Sequence, residues 1–176
     1  MSAGPATAAV DLGALFEEHF DYVWNALRRL GVRESDLEDL VHDVFLKVHL
    51  QREAYDPTRP FRPWVFGFAY RLAADYRRLA RHRVAVHGST EELVDPARSP
   101  EQRLQTAEQW QLLHHALESI DLERRAVFLL HDVDGEPAPR IAEVIGIPVN
   151  TVYSRLRLAR EEFAAAVRRL RAKGAS

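Results

Sequence analysis

The chain has 176 residues, with 24 Lys or Arg against 26 Asp or Glu, a formal net charge of −2, 47% apolar residues and no cysteine. That balance is ordinary for a globular protein of one domain or two small ones. It excludes disulfides and thiolate metal sites, suits a reducing cytosol, and confines any nucleic-acid affinity to local patches. No apolar run approaches the ~18–20 residues that span a bilayer. Ser2 to Ala9 has no charged-then-apolar leader pattern and reads as a disordered lead-in.

Val10 to Leu30 predicts an amphipathic helix, because Leu12, Leu15, Phe16, His19, Phe20, Val23, Trp24, Leu27 and Leu30 recur at threes and fours. Gly31 is placed to end it, and His19 reads as a core or boundary histidine. Ser35 followed by Glu38 has the pattern of a capping box opening a second helix. Leu37, Leu40, Val41, Val44, Phe45 and Val48 form its inner stripe. Glu38, Asp39, His42, Asp43 and the stem of Lys47 face outward, and periodicity alone reads that face as solvated.

Gln51 to Arg62 predicts a loop, interrupted by Pro57 and Pro60. A third helix is expected from near Pro63 to about Arg83, with Trp64, Val65, Phe68, Leu72, Tyr76 and Leu79 on its apolar side. Arg62, Arg71, Arg77, Arg78, Arg81 and Arg83 stand there against a single acid, Asp75. Arginines interleaved with aromatics suit a nucleic-acid strand, whose phosphates and base faces they match. Trp64, Phe66 and Phe68 read equally well as plain core. Val84 to Pro100, rich in Gly, Ser, Pro and acids, predicts a flexible linker.

A helix returns from Glu101 to Ser119, with Leu104, Ala107, Leu113 and Leu117 inward. His114 and His115 are adjacent and diverge, and no His spacing suits a metal. Asp121 is placed to cap a helix from Leu122 to about Asp132, with Val127, Leu129 and Leu130 inward, and Asp134-Gly135 signals a turn. Pro139 to Leu170 then reads as a helix, a bend at Gly146 and a second helix continuing to Arg171, followed by a frayed tail from Ala172 to Ser176. Small Ala142 lets the two helices cross closely. Ile141, Val144 and Ile145 face Val149, Val152 and Leu156 across a small core. Asn150, Ser154 and Arg157, flanked by Tyr153 and Arg160, form the outer face of a helix suited to a DNA major groove.

The fold class is therefore all-α: two small helical domains, 10–83 and 101–171, joined by a linker at 84–100, the second holding a helix-turn-helix. No nucleophile–base pair, phosphate-cradling Gly loop or paired buried carboxylates appear, so neither catalysis nor a cofactor nor a small-molecule substrate is expected. A stand-alone helix-turn-helix regulator accounts for the second half and leaves the Arg-rich segment and the acidic face unexplained. A protein-only adaptor is a further reading.

The chain resembles a bacterial sigma factor of the extracytoplasmic-function (ECF) group of the sigma-70 family. Asp36 to Val48 is similar to the family's polymerase-docking helix, Phe61 to Arg78 to the segment that reads and opens the −10 element, and Arg124 to Leu130 with Gly146 to Arg160 to the −35 reader. The resemblance implies that Glu38, Asp39, His42 and Asp43 dock on core RNA polymerase, through its β′ coiled coil, with β as a further partner. It implies that the loop from Tyr55 through Arg59 to Phe61 and Arg62 holds a flipped-out base, and that Arg71, Arg77 and Arg78 take phosphates. Asn150, Tyr153, Ser154 and Arg157 would face −35 base edges, with Thr151, Arg155 and Arg160 on the backbone. His42 stands where Gln is usual, Arg71 where Asn is frequent, and Tyr153 where a basic residue is common. Promoter DNA and an anti-sigma factor are the other implied partners. The implied location is the bacterial cytoplasm, or the membrane by way of that anti-sigma factor.

Overall fold

The structure, a computed structural model, describes residues 12–87 and 110–174, and every regular element among the described residues is helical. In the N-terminal half, α1 (Leu12–Arg29), α2 (Glu34–Leu50) and α3 (Phe61–His87) pack on one another, with a short 3-10 turn at Arg52–Ala54 between the last two. In the C-terminal half the described part of α4 covers 110–118. It is followed by α5 (Leu122–Phe128), a π-helical turn (Leu129–Val133), α6 (Ala138–Ile145) and α7 (Val149–Gly174).

The three-and-four spacing of the apolar residues becomes the core. Val23, Leu27 and Leu30 of the first stripe meet Leu37, Val41, Val44 and Val48 of the second and Val65, Phe66 and Ala69 of the third, all at most 1% exposed. Each such Val or Leu contributes about 1.5–3 kcal/mol by leaving water. Gly31, at φ +95°, takes the left-handed conformation that ends α1, and the Val32 amide donates back to the Leu27 carbonyl at 3.1 Å. In the second half, Asp121 caps α5 by accepting from the Glu123 amide. Gly146, at φ +75°, turns the chain between α6 and α7, whose Ile141, Val152 and Leu156 are buried as expected.

The two halves share one continuous core. Their closest crossing is α3 against α6: a Cβ added to Gly67 would lie 3.4 Å from both the Cγ1 and the backbone oxygen of Val144. A glycine inside a helix costs roughly 0.5–1 kcal/mol relative to alanine, and at this position α6 packs directly against the α3 backbone, leaving room for no more than a methyl group.

Several expectations are corrected. The Ser35–Glu38 capping box does not form: α2 starts at Glu34 after an extended Arg33, with no side-chain cap, and the Ser35 hydroxyl donates to Asp36. Asp36 is itself held by Arg33 and Tyr76, at 2.9 and 2.5 Å, which ties the start of α2 to α3. The third helix begins at Phe61, with Pro63 inside its first turn, and runs to His87, so 84–87 is helix rather than linker. At 27 residues α3 outruns α1 and α2, with 18 and 17, and Leu79 on its second half is 57% exposed. The helix expected from Leu122 to Asp132 widens into the π turn after Phe128, where the Asp134 and Glu136 amides reach back to the Leu129 and Leu130 carbonyls. Val149 opens α7 beyond the turn and is 36% exposed, outside the small core assigned to it. Val144 leans on α3 instead. Residues 172–174 continue α7 rather than fray. The expectations for 2–9, for the linker over 88–100, for Leu104 and Ala107, and for 175–176 lie outside the described residues.

Candidate functional site

On α2, every residue assigned to docking is exposed: Glu38, Asp39, His42 and Asp43 form one outward band. Two residues extend it that the inner stripe did not claim. Leu46 and Leu50 follow His42 at four-residue steps and are 55% and 70% exposed. The surface is therefore acidic at one end and apolar at the other. The signal was present in the sequence as apolar residues out of phase with Leu37, Val41, Val44 and Val48.

Of the −10 candidates, Tyr55, Arg59, Phe61 and Arg62 gather at the start of α3, whereas Arg71, Arg77 and Arg78 lie progressively further along that helix. Tyr55 packs on Trp64 and meets Phe61 edge-on, with ring centroids 4.8 and 5.5 Å apart, and its hydroxyl donates to the Arg59 carbonyl at 2.8 Å. This braces the loop. Phe61 is only 7% exposed and stacks on buried His19, so its ring supports the loop from beneath and offers no open face. The Arg62 guanidinium lies 5.3 Å from the Tyr22 ring and that of Arg71 4.9 Å from Phe68, both within cation–π range. Arg78 pairs with Asp75 at 3.1 Å, whereas Arg77 donates to the Leu30 carbonyl at 3.3 Å, at the end of α1.

Acids of the C-terminal half reach this same surface. Arg59 pairs with Glu143 of α6 at 2.8 Å. The Tyr22 hydroxyl donates to Asp134 at 2.6 Å; burial and that carboxylate together raise the phenol's pKa, while burial raises that of Asp134. Arg125 of α5 is fully buried and donates to the Arg29 and Ile120 carbonyls at 3.3 and 3.0 Å. The first of these is at the negative end of α1, where a cation is favoured. Burial, with Arg77 nearby, still lowers the Arg125 pKa to about 10. None of Tyr22, Asp134, Glu143 and Arg125 was singled out from the sequence as a contact, and no local pattern marks contacts made across so many residues.

The outer face of α7 is open. Asn150, Tyr153, Ser154 and Arg157 are exposed and Thr151 is half-buried, its carbonyl accepting from the Ser154 hydroxyl. The arginines are set by acids: Arg157 by Glu161 one turn on, Arg155 by Glu123 of α5, and Arg160 by both oxygens of Asp132, at 2.6 and 2.8 Å. The bidentate Arg160 contact holds the Asp132 carboxyl below the usual carboxylate range. Arg160 thus sits at the side of α7, fixed by the π turn.

The described residues thus present two exposed helix faces, the acidic-to-apolar band of α2 and the polar outer face of α7. Comparison with known families matches Sigma-70 region 2 over residues 15–83 and Sigma-70, region 4 over residues 110–163. The ECF RNA polymerase sigma factor SigL of Mycobacterium tuberculosis is 33% identical over 160 residues, covering 90% of each chain. The RNA polymerase sigma factor CnrH of Cupriavidus metallidurans is 29% identical over 87% of this chain and 84% of its own. The solved structure of CnrH in complex with the cytosolic domain of CnrY matches with a TM-score of 0.62 over 88% of this chain and 85% of that one. The sigma factor RpoE of Bartonella quintana, solved with the anti-sigma factor NepR, shares the fold, with a TM-score of 0.68 at 17% identity over 90% and 97% of the two chains. The chain belongs to the sigma-70 family and is an ECF sigma factor, a director of transcription initiation.

Proposed function

We propose that this sigma factor binds core RNA polymerase through α2 and reads a two-part promoter, with the start of α3 and its preceding loop on the −10 element and α7 on the −35 element. The domain limits that go with this are 10–83 and 101–171. The observation that carries the reading is the coexistence, in one small chain, of an exposed acidic-to-apolar α2 band with an open recognition helix. A stand-alone regulator needs only the second.

The mechanism follows from that division. Arg62 and Arg71 present cations beside aromatic faces, a combination that suits an unpaired strand. Opening the duplex costs a few kcal/mol per flipped base, which strand contacts offset. In α7, Arg157 and Asn150 are exposed and suited to base edges, each good bidentate contact discriminating by ~1–3 kcal/mol. RNA synthesis belongs to the polymerase. No described helix is long and apolar enough to cross a membrane. The reading places the protein in the cytoplasm, with an anti-sigma factor as the partner that withholds it, free or at the membrane.

The test is complex formation with bacterial core RNA polymerase, read by size-exclusion chromatography. Wild type should co-elute with core, and Asp39→Ala/Asp43→Ala should weaken the complex while leaving duplex DNA binding through α7 unchanged. A complex undiminished by that variant would sink the assignment of α2; equal loss in both assays would instead indicate misfolding.

A further inference from the structure

We propose that His19 of α1 is a positioning residue of the −10 reader: its neutral ring is the floor that sets Phe61 and, through Phe61, the base-holding loop. The proposal rests on assigning the flipped base to the loop from Tyr55 to Arg62. It adds to that site a residue that acts from beneath.

Three observations carry it. The first is contact. His19 is 6% exposed, and its ring stacks on Phe61, the first residue of α3, at 4.6 Å and 25°. Phe61 meets Tyr55 edge-on and lies 5.7 Å from Trp64, and Trp64 meets Phe68, the ring that Arg71 covers. The rings on which Tyr55 and Arg71 rest thus form one chain, and His19 is its end on α1. The second is placement. One turn further along α1, the Tyr22 ring lies 5.3 Å from the Arg62 guanidinium. A single turn of α1 therefore seats two consecutive residues of the reader. The third is chemical. A stack of this kind needs no nitrogen, yet Nδ1 of His19 is buried without a hydrogen-bond partner. Its Nε2 stands 3.7 Å from the exposed Glu18 carboxylate, beyond hydrogen-bond reach. A buried polar atom left without a partner calls for an explanation beyond packing.

Those nitrogens make the floor sensitive to protonation. Neutral imidazole can carry its hydrogen on Nε2, towards Glu18, and leave only a lone pair buried at Nδ1. Imidazolium must bury an N–H there with no acceptor. The charges that act on the ring come from its own helix and from α3. Burial disfavours the cation most, Glu18 favours it and Arg62 opposes it, and the net effect holds the pKa below the ordinary histidine value of about 6.5. Elsewhere in the loop, burial raises the Tyr55 pKa and hydrogen bonds from Thr58 lower that of Asp56, so neither titrates in the same range. Once protonated, His19 regains water only by parting from Phe61, which loosens the loop. Strand affinity falls in proportion to the fraction of chains with the floor in place. The sign is diagnostic, because protonation elsewhere adds positive charge and tightens binding to a polyanion.

The test is fluorescence anisotropy of a labelled, randomised single-stranded DNA titrated with the full chain, from about pH 8 to the acid limit of the fold. His19→Phe keeps an aromatic floor and removes the titration. It should match wild type near pH 8, and wild type should then lose at least about half its affinity relative to this variant in acid. The loss should follow the titration of His19 itself, read by NMR as the imidazole signal missing from His19→Phe. His19→Ala removes the floor and should bind the strand about three- to tenfold more weakly than wild type near pH 8, the worth of one aromatic pair. The comparison of wild type with His19→Phe leaves the core filled and decides the proposal by itself. The same pH profile in both, or His19→Ala binding as tightly as wild type, overturns the positioning role. Arg62→Ala separates the two levels. If it weakens strand binding while the His19 variants have no effect, only the positioning role fails; if it changes nothing, the −10 assignment fails and the positioning role with it.

Discussion

The contact between Tyr22 and Asp134 joins residues 112 positions apart, one in each half of the chain, at 2.6 Å. Tyr22→Phe keeps the ring that Arg62 faces and removes only the hydroxyl. A hydrogen bond to a charged acceptor is worth about 1.5–3 kcal/mol, and the partial exposure of this pair discounts the coupling to about 1–2 kcal/mol. The single variant should cost somewhat more than the coupling, because it leaves a half-buried carboxylate without its donor. For a chain of this size each kcal/mol moves the melting temperature by roughly 2–4 °C, so the coupling alone corresponds to about 2–8 °C and Tyr22→Phe should melt lower by somewhat more than that. The assay is a double-mutant cycle of Tyr22→Phe and Asp134→Ala by urea denaturation near neutral pH. With one shared core, wild type should unfold in a single transition. Coupling within about 0.3 kcal/mol of zero, with two separate transitions, would refute the packing of the halves.

Two further outcomes follow from the side-chain geometry. Arg157→Ala should relax preference at one −35 position by about 1–3 kcal/mol, whereas Arg155→Ala should weaken all sequences alike and lower the salt slope by about one, both read by fluorescence anisotropy on duplex libraries. Burial disfavours ionised Asp36, but hydrogen bonds from Tyr76 and Arg33 outweigh it and depress the carboxyl's pKa. That contribution is present above the ordinary carboxylate value of about 4 and disappears as pH falls through the depressed folded value. The melting-temperature gap between wild type and Asp36→Asn should accordingly be widest near neutrality and close in acid. A gap that widens in acid would reverse the sign and contradict the network.

The helices were legible because burial repeats at threes and fours. Val41, Val44 and Val48, or Val152 and Leu156, announce a packed face whatever covers it. Gly31 and Gly146 were legible because only glycine takes their positive φ without strain. Ser35 misled because a local cap competes with tertiary contacts: Arg33 and Tyr76 hold Asp36, and α2 begins two residues early. The face of α2 was legible as an outward surface, but Leu46 and Leu50 show that its character is partly apolar. The partners of Arg59 and Arg125 were not legible. Pairings such as Arg59 with Glu143, 84 residues apart, depend on how the halves meet, which no period of three or two encodes.

Run-off transcription tests the central claim most directly. Purified bacterial core RNA polymerase is given genomic fragments from the source organism, with and without this protein, and transcript starts are mapped. Discrete starts that appear only with the protein, share paired upstream elements and disappear with Asp39→Ala/Asp43→Ala are the predicted result. Transcription indistinguishable from core alone, with no complex between the two, would contradict it.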